Sequence, residues 1–551
     1  MAHGKGLHTI DLPDSGKSQL LIPEQIDIAE PGSDLSVSQN DIVYIQGARF
    51  WMICVAISTV MFLVNFEIPV IVTALVAITN DLHGHENVAW VISSYLLGYV
   101  GVIVICAKFS DIFGRKLIFM LSIVFFIIFS AACSAAQTMD HLPGFPGIGG
   151  GGCWSLATII VIEMVPPERY AKFVANISIV NALALLLGPI VGGAIASHTN
   201  WRWILIINIP IAVPALVLSF IFIPKNFPYH GRQNDAPKTR KPWIAKSTLN
   251  RIDIPGTILV LFATLALTAA FEEAGKKFPW RSPYVISLLS ISGVLWIGVA
   301  LWERYTTLSN TTREPILPWR FLNREMMGIL LNFILLGGPT VICMFILPQR
   351  FQIVYGASGL DAGVRLIPFT VAIPLGSIFA SGLAGRAKVP PLYLLLLGSV
   401  LQVLGFVLIG TIPSTLDVPS RIYGFQVLAG WGCGINFSLL FILIPFVNEK
   451  RDNAVALGAG SQFRFMGGSV VLAISTSVFN SYVRSRIESQ LGIADADIFV
   501  QILPSLSQAI QEQARYILAE GFSRQILVLA VSAGLQIPAT LLMWQGKQLR
   551  V

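Results

Sequence analysis

The sequence predicts an all-α membrane protein of about fourteen transmembrane helices. Of its 551 residues, 54% are hydrophobic and only 12% are charged, whereas a typical soluble domain carries roughly 25% charged residues. So few charges cannot cover a globular surface, and most of this surface must therefore face lipid. The 47 glycines and 31 prolines fall largely inside apolar runs, as is common in membrane helices.

The predicted spans follow from the length of the apolar runs, because a helix needs about 20 apolar residues to cross the hydrocarbon. The seventh run is short and the fourth begins weakly. The fourteen runs lie at 50–79, 88–107, 117–137, 145–165, 172–196, 203–223, 254–270, 284–302, 327–348, 365–384, 391–411, 421–447, 454–479 and 523–544.

The basic residues predict the orientation of the chain. If the N-terminus is cytoplasmic, most of the 37 Lys and Arg residues fall in cytoplasmic segments, as the positive-inside rule requires. We therefore predict an N-in, C-in topology and read the net charge of +7 as a topology signal, with no nucleic-acid partner. The sequons at Asn176, Asn310 and Asn436 are expected to stay unglycosylated, because two lie in helices and one is cytoplasmic.

These boundaries predict two six-helix halves separated by two extra helices. A basic loop with prolines divides the first half from the extra pair. The predicted segments are a cytoplasmic tail at 1–48, an N-terminal half at 49–223, a loop at 224–253, two linker helices at 254–302, a loop at 303–326, a C-terminal half at 327–545 with an outer loop at 481–521, and a tail at 546–551.

The outer loop contains a helical pattern of its own. Ile498, Ile502, Leu506 and Ile510 are spaced by four, which predicts an amphipathic helix on the membrane surface or capping the bundle. A lid over a ligand is the alternative interpretation.

Metal, redox and enzyme chemistry find little support in the sequence. All six cysteines lie in apolar runs, and neither CxxC nor a His-rich spacing occurs, so we expect inert thiols and no metal. No polar segment long enough to fold carries nucleophile–base spacing, so we predict no enzyme and no cofactor. The first 46 residues lack the pattern of a cleavable signal peptide, and the first helix is expected to direct insertion.

The run AKFSDIFGRK at 107–116 follows the second span. It places one acid among three bases at the cytoplasmic mouth, and its glycine permits a bend. The acid can accept hydrogen bonds from a neighbouring helix start, while the last two bases hold the loop inside; a generic positive-inside loop is the alternative. The residues concerned are Lys108, Asp111, Gly114, Arg115 and Lys116.

The fifth span contains GPIVGG, from Gly188 through Pro189 and Gly192 to Gly193. Gly188 and Gly192 share a helix face and let another backbone come close. Pro189 removes one backbone hydrogen bond and bends the helix. A plain packing face is the alternative interpretation.

Two charges fall well inside predicted spans, away from the span ends. Glu67 is the only charged residue between positions 50 and 80, and Arg464 lies in the thirteenth span. A charge in the membrane is costly unless it faces water, pairs or, for an acid, takes a proton. We expect both side chains to face a central cavity, with Glu67 as a proton carrier. The alternatives are a helix-end acid facing headgroups and a structural arginine bonded to carbonyls.

Several of these runs resemble the major facilitator superfamily. The run 107–116 resembles the signature of the loop between helices two and three, which acts as a conformational latch; Ala107 replaces its leading glycine. The run 376–386 resembles a degenerate second copy of the same signature, as a fold of repeated halves implies. GPIVGG resembles the signature of the superfamily's antiporters, which favours export over import.

Other stretches resemble the fourteen-span drug:proton antiporters of that superfamily. A similar first span there carries Asp where this chain has Glu67, while Pro69 and Val76 replace a threonine and a proline. The resemblance runs from about residue 50 to 545 and points to fungal toxin and secondary-metabolite exporters. It implies the major facilitator fold with two extra helices. The remaining similar stretches are 201–210, 271–280 and 461–468.

The fourth span departs from the family pattern, which ends in Arg-x-x-Gln-Gly-x-Gly. Residues 140–152 read DHLPGFPGIGGGG, which lacks the arginine that the family ties to proton coupling and is about three residues short. Glycine costs about 1 kcal/mol and proline about 3 kcal/mol in a helix interior, so we expect an unwound start. Three explanations are open for the missing arginine: a natural variant with different coupling, a gene-model error at 140–147, or a degraded transporter.

The sequence therefore predicts export of a small lipophilic compound by alternating access, driven by proton antiport. The expected partners are the bilayer and the small-molecule substrate, and we expect a monomer that uses the proton gradient and no cofactor. The expected location is the plasma membrane, with the vacuolar membrane as the alternative. A receptor or inactive relative that does not transport, and a vacuolar carrier or importer, are the rival functions.

Overall fold

A computed structural model describes residues 44–82, 88–138, 145–228, 250–275, 278–309, 312–413, 415, 417–491 and 508–550. The regular elements of this part of the chain are all helical, and the β pairing within it is one isolated bridge between Ala274 and Phe278. The all-α prediction is confirmed. The predicted N-terminal tail up to residue 43 and the loop at 229–249 lie outside the described residues.

We number the α-helices α1 to α17 in chain order. The described chain also contains a one-turn π-helix at Gly338–Ile342, between α10 and α11. The helices are α1 Gly47–Leu82, α2 Val88–Phe113, α3 Arg115–Ser134, α4 Phe145–Glu163, α5 Tyr170–His198, α6 Arg202–Ile206, α7 Asn208–Phe222, α8 Ile254–Glu273, α9 Pro283–Leu308, α10 Arg324–Gly337, α11 Cys343–Ile353, α12 Gly359–Val364, α13 Ile367–Gly385, α14 Pro391–Gly410, α15 Arg421–Val447, α16 Asn453–Leu491 and α17 Gln508–Leu541.

Thirteen helical segments of the described chain are long and apolar enough to cross a membrane. The fourth predicted span is α4, which has 19 residues and is not one of the thirteen. The membrane fold is thus confirmed, while the count of fourteen, the division into halves and the N-in, C-in orientation stay predictions.

The outer surface of the bundle is apolar. The side chains of Val294 and Leu301 on α9 are 69% and 64% exposed, and that of Val531 on α17 is 63% exposed. Large exposed apolar side chains are costly in water and suit a surface that faces lipid. By contrast, most of α15 is buried, which places it at the centre of the bundle.

The glycine-rich start of α4 is helical, and the expected unwinding at 145–152 is wrong. A side chain at Gly149 would come within 2.4 Å of the Phe126 backbone nitrogen on α3, and one at Gly151 within 2.3 Å of the Tyr99 carbonyl oxygen on α2. The glycines therefore permit backbone-to-backbone packing with α2 and α3. This close packing offsets their poor helix propensity. Residues 139–144, just before α4, lie outside the described residues.

The antiporter-like glycines bring α5 against α1. A side chain at Gly188 would meet the Pro69 ring at 2.7 Å, and one at Gly192 would meet the Thr73 hydroxyl at 2.2 Å. A side chain at Gly193 would meet nothing within 4 Å. Gly188 and Gly192 therefore form the packing face.

The predicted outer loop at 481–521 is shorter than expected. α16 continues to Leu491 and α17 begins at Gln508, so both ends of that segment extend the neighbouring spans. The sequence pattern missed this extension because the added turns are polar. Ile510 lies in α17, whereas Ile498, Ile502 and Leu506 lie outside the described residues.

The first linker helix, α8, is joined to α2 and α16 through a shared amide. Gln462 on α16 donates a hydrogen bond to the Thr264 hydroxyl of α8 (3.0 Å) and accepts one from the Val104 backbone N–H of α2 (3.1 Å). At the other end of α8, the indole of Trp280 donates to the Ser477 hydroxyl at 2.9 Å. Trp280 therefore fixes the connection between α8 and α9 to α16.

Two of the three sequons lie in described helices. Asn436 is fully buried in α15, where its amide donates to Ser399 and Gln536. Asn176 is exposed on α5, and Asn310 lies outside the described residues. The burial of Asn436 prevents a glycosyltransferase from reaching its side chain in the folded protein.

The packing of α4 predicts a large difference between two Gly→Ala substitutions. Gly149→Ala forces a methyl group into the α3 backbone and should destabilise the protein by about 1–3 kcal/mol. Gly293→Ala on α9 is the control, because a side chain there meets nothing within 4 Å. The thermal midpoint of the detergent-purified protein should fall for Gly149→Ala only. Equal midpoints for the two variants would contradict the close packing of α4.

Candidate functional site

A cavity lies between the N-terminal group of helices, α1–α7, and the C-terminal group, α10–α17. Together with the solvent space that opens onto it, the cavity measures about 1520 Å³. Its walls come from α1, α2 and α5 on one side and from the π-helix, α11–α13, α15 and α16 on the other. The lining extends to Gln352 and Gly359, at the end of the bundle opposite the 107–116 loop.

Most of the cavity wall is apolar, with a few neutral polar groups. Apolar side chains such as Leu185, Met344 and Phe345 alternate with amides. Asn65 on α1 donates a hydrogen bond to Asn181 on α5 at 3.1 Å. Such a wall binds lipophilic molecules through apolar contact and uses its amides to orient them.

Arg464 contributes the cavity's positive charge. The side chain lies on α16, is 7% exposed, and places its guanidinium carbon 4.5 Å from the ring centre of Phe465, 5.1 Å from Phe437 and 5.6 Å from Trp154. A cation over an aromatic face gains about 0.5–2 kcal/mol, whereas removing an ion from water costs several kcal/mol. The three rings therefore compensate only part of the cost of burying this charge.

Glu67 is buried beside the cavity and not in its wall. It is 1% exposed, and its carboxylate accepts hydrogen bonds from the Tyr95 hydroxyl (2.9 Å) and the Asn208 amide (3.4 Å). We expected Glu67 to face the cavity with Arg464. Instead the neighbouring positions Asn65 and Ile68 line the cavity, because they lie on a different face of α1.

The 107–116 loop is held by a cluster of ion pairs. Arg115 binds Asp111 at 2.5 Å and Glu163, at the end of α4, at 2.7 Å, and it donates to the Ser110 hydroxyl at 2.7 Å. Asp111 was expected to accept from a neighbouring helix start; instead it pairs with Arg115 across the bend. Gly114 has φ +100, a conformation that favours glycine.

The other two bases of the loop reach neighbouring segments. Lys108 pairs with Glu314 at 2.9 Å, and Glu314 also pairs with Arg251 at 2.6 Å. Burial acts to raise the pKa of Glu314, but the two cations outweigh it and hold that pKa below its ordinary value. Lys116 donates to the backbone carbonyls of Phe220 and Ile223 at the end of α7.

The two groups of helices meet at the end of the bundle that carries this loop. A side chain at Gly458 on α16 would lie 2.8 Å from the Ala107 methyl group on α2. The Tyr170 ring of α5 contacts the Phe446 ring of α15, with centres 6.2 Å apart. The cavity is therefore closed on the side of the 107–116 loop.

The degenerate second copy of the signature, at 376–386, packs without the acid–base cluster that the run 107–116 carries. Gly376 abuts the Trp431 carbonyl, and Ser377 donates to the Gly434 carbonyl at 2.9 Å. Ser377 also exchanges a hydrogen bond with Ser178 of α5 at 3.1 Å, which joins the two groups of helices. This segment contributes close packing, and Arg386 at its end is exposed.

Several site residues were missed by sequence reasoning. Tyr95 and Asn208 were not assigned to Glu67, although each is a polar residue in an apolar run. Glu163 and Glu314 were not assigned to the basic loop, because their distance along the chain conceals their partners. Arg350 is fully buried on α11 with one long hydrogen bond to the Ile409 carbonyl, and it does not line the cavity.

The helical bundle, its lipid-facing surface and its central cavity define a multi-pass membrane transporter. Residues 55–472 match the sequence pattern of the Major Facilitator Superfamily. The chain belongs to this superfamily, as the sequence resemblance predicted.

The chain is similar to proteins from fungi and bacteria. It is 36% identical to the MFS-type transporter FPY5 of Fusarium mangiferae over 92% of this chain and 85% of that protein. It is 31% identical to the efflux pump FUS6 of Gibberella fujikuroi, over 80% of this chain and 76% of that protein. It is 30% identical to the multidrug resistance protein 3 of Bacillus subtilis, over 77% and 79% of the two chains.

Solved structures share the fold at low sequence identity. The human organic anion transporter MFSD10 superposes with a TM-score of 0.57 at 13% identity, covering 91% of this chain and all of the other. A xylose transporter variant, XylE with two tryptophan substitutions, gives a TM-score of 0.54 at 14% identity, covering 91% of this chain and 97% of that one. These likenesses establish the fold alone.

The ion-pair cluster predicts a measurable coupling between Arg115 and Glu163. Arg115→Ala leaves both Asp111 and Glu163 without their cation and should destabilise the protein by about 3–5 kcal/mol. Glu163→Ala should cost less, because Arg115 stays paired with Asp111. Removing both should cost less than the sum of the two, with a coupling of at least about 1 kcal/mol. A double-mutant cycle on thermal or denaturant unfolding measures this coupling.

The exposed pair Arg524 and Glu520 is the control for that cycle, because both side chains are 47% exposed. Its coupling should stay below about 0.5 kcal/mol. Additive effects at Arg115 and Glu163 would contradict their role as one buried unit.

Proposed function

We propose that this protein is an efflux transporter that exports a small lipophilic compound by alternating access, driven by proton antiport. The observation that carries the proposal is the apolar cavity between the two groups of helices. Similar proteins carry the names efflux pump and multidrug resistance protein, which supports export. The sequence resemblance to fungal toxin and secondary-metabolite exporters favours a toxin or secondary metabolite as the cargo.

The shape of the cavity supports alternating access. It is closed at the 107–116 loop and extends towards Gln352 and Gly359. In the predicted N-in orientation, this is a conformation that opens to the outside. The inward-facing state requires the two groups to separate at the loop, where Gly458 and Ala107 now meet. The buried ion pairs of Arg115 keep the N-terminal side of this contact rigid during that movement.

The position of Glu67 supports proton coupling. The carboxylate lies one helix position away from the cavity wall and accepts hydrogen bonds from Tyr95 and Asn208. Protonation removes its charge and converts one oxygen from acceptor to donor, so the Tyr95 hydroxyl must reorient. Because α1 and α5 pack through Gly188 and Gly192, a shift of α1 moves the cavity wall. In this way, protonation of Glu67 is coupled to a movement of the cavity wall.

The missing family arginine of the fourth span leaves two rival functions to test. A receptor that does not transport, or an importer or vacuolar carrier, would share the same fold. The helical order and close packing of α4 favour a working transporter over a degraded one. We place the protein in the plasma membrane, where export removes the cargo from the cell.

The test of export is the accumulation of a lipophilic fluorescent probe in cells that lack other exporters. Cells that express the protein should hold several-fold less probe than control cells, and a protonophore should abolish the difference. Equal accumulation with and without the protein would support the receptor. Higher accumulation in the cytoplasm would support import, and higher accumulation in vacuoles would support vacuolar storage. Fluorescence microscopy distinguishes these outcomes.

Glu67→Gln should separate transport from its energy source. The amide keeps the size of the side chain but cannot carry a proton. The probe should therefore still equilibrate across the membrane. Uphill export should fall at least about tenfold, which corresponds to a free-energy difference of about 1.4 kcal/mol. Proteoliposomes with an imposed pH gradient measure both rates.

The control is Glu303→Gln on α9, because Glu303 is also a buried acid, 2% exposed, but lies in the linker helices. It should retain uphill export. Full uphill export by Glu67→Gln would overturn the assignment of Glu67.

A further inference from the structure

The cavity holds a positive charge without a negative one. Arg464 is the only charged residue among the described residues that line it. Within the described chain, no Asp or Glu forms an ion pair with Arg464. The Nε of Arg464 is buried and has no hydrogen-bond partner. An unpaired guanidinium that is more than nine-tenths buried lacks the anion that would compensate it.

A second donor in the same cluster also lacks an acceptor. Trp154 on α4 is 1% exposed, its ring centre is 5.6 Å from the Arg464 guanidinium carbon, and its indole Nε1 has no partner. Phe437 and Phe465 also face the guanidinium and bring no acceptor, whereas Tyr99, whose ring contacts Phe465, lies close enough to interact electrostatically with Arg464. Tyr99 forms no hydrogen bond with Arg464, so the two buried donors indicate a place for an oxygen-rich group.

Glu67 does not fill this place. Both of its carboxylate oxygens accept hydrogen bonds, from Tyr95 and Asn208, and the residue lies outside the cavity wall. The structural role of an arginine bonded to backbone carbonyls is also not met, since Nε of Arg464 has no such bond. The charge of Arg464 can therefore be compensated by an anionic group that enters the cavity.

We propose that Arg464 binds the acidic group of the cargo, and that the cargo is an amphipathic organic acid. This inference rests on the proposed export function and names its substrate class. A guanidinium presents two parallel N–H donors that match the two oxygens of a carboxylate. The apolar wall, with Leu185, Met344 and Phe345, accommodates the body of the molecule, and Asn65 and Asn181 supply neutral polar contacts.

The test is the binding of pyrenebutyric acid and its primary amide, which have the same size and differ in charge. Each is measured on the purified protein in nanodiscs, with empty nanodiscs subtracted. The wild-type protein should bind the acid at least about tenfold tighter than the amide, and Arg464→Gln should remove this preference without weakening amide binding. Arg464→Lys keeps a charge but loses the paired donors, and should retain part of the preference.

Arg350→Gln is the matched control, because Arg350 is a buried arginine outside the cavity wall; it should keep the wild-type preference for the acid. Equal binding of acid and amide by the wild type, or an unchanged preference in Arg464→Gln, would overturn the proposal.

Export of the two probes from cells lacking other exporters separates this proposal from the proposed function. Preferential acid binding without any export would leave the ligand assignment intact and overturn the export function. Equal export of acid and amide, insensitive to Arg464→Gln, would leave export intact and overturn the ligand assignment.

Discussion

Charged side chains inside a bilayer need partners, because hydrocarbon neither hydrates an ion nor screens its field. Several buried charges meet this requirement within the protein: Arg115 binds Asp111 and Glu163, and Lys108 binds Glu314. Arg464 does not, since it faces the cavity with three aromatic rings and no described acid. The paired charges fix where helices meet. The charge of Arg464, in our proposal, determines what the cavity binds.

Close backbone packing makes this arrangement possible. Glycines on α4 let it approach α2 and α3, and Gly188 and Gly192 let α5 approach α1. The same contacts position Trp154 beside Arg464 and bring Tyr95 within reach of Glu67. Because packing through glycine leaves no space to absorb a shift, a movement of one helix must pass to its neighbour. This is the physical basis for linking a proton at Glu67 to the cavity wall.

The membrane fold was predictable from the sequence because long apolar runs have few other solutions in water or lipid. Glu67 and Arg464 stood out for the same reason, as isolated charges within such runs. The orientation of Glu67 was not predictable, because one position along α1 decides between the cavity and Tyr95. The helical start of α4 was missed because its stability comes from α2 and α3 and not from its own propensity. Glu163 and Glu314 were missed because pairing depends on tertiary structure.

In our proposal the unpaired guanidinium of Arg464 receives an anionic group of the cargo. An experimental structure of the protein with pyrenebutyric acid bound would show where that group lies. We expect the carboxylate within about 3 Å of the Arg464 guanidinium nitrogens, with the pyrene body against Leu185 and Phe345. A bound carboxylate elsewhere in the cavity, or an Arg464 that pairs with Glu67 in the complex, would contradict it.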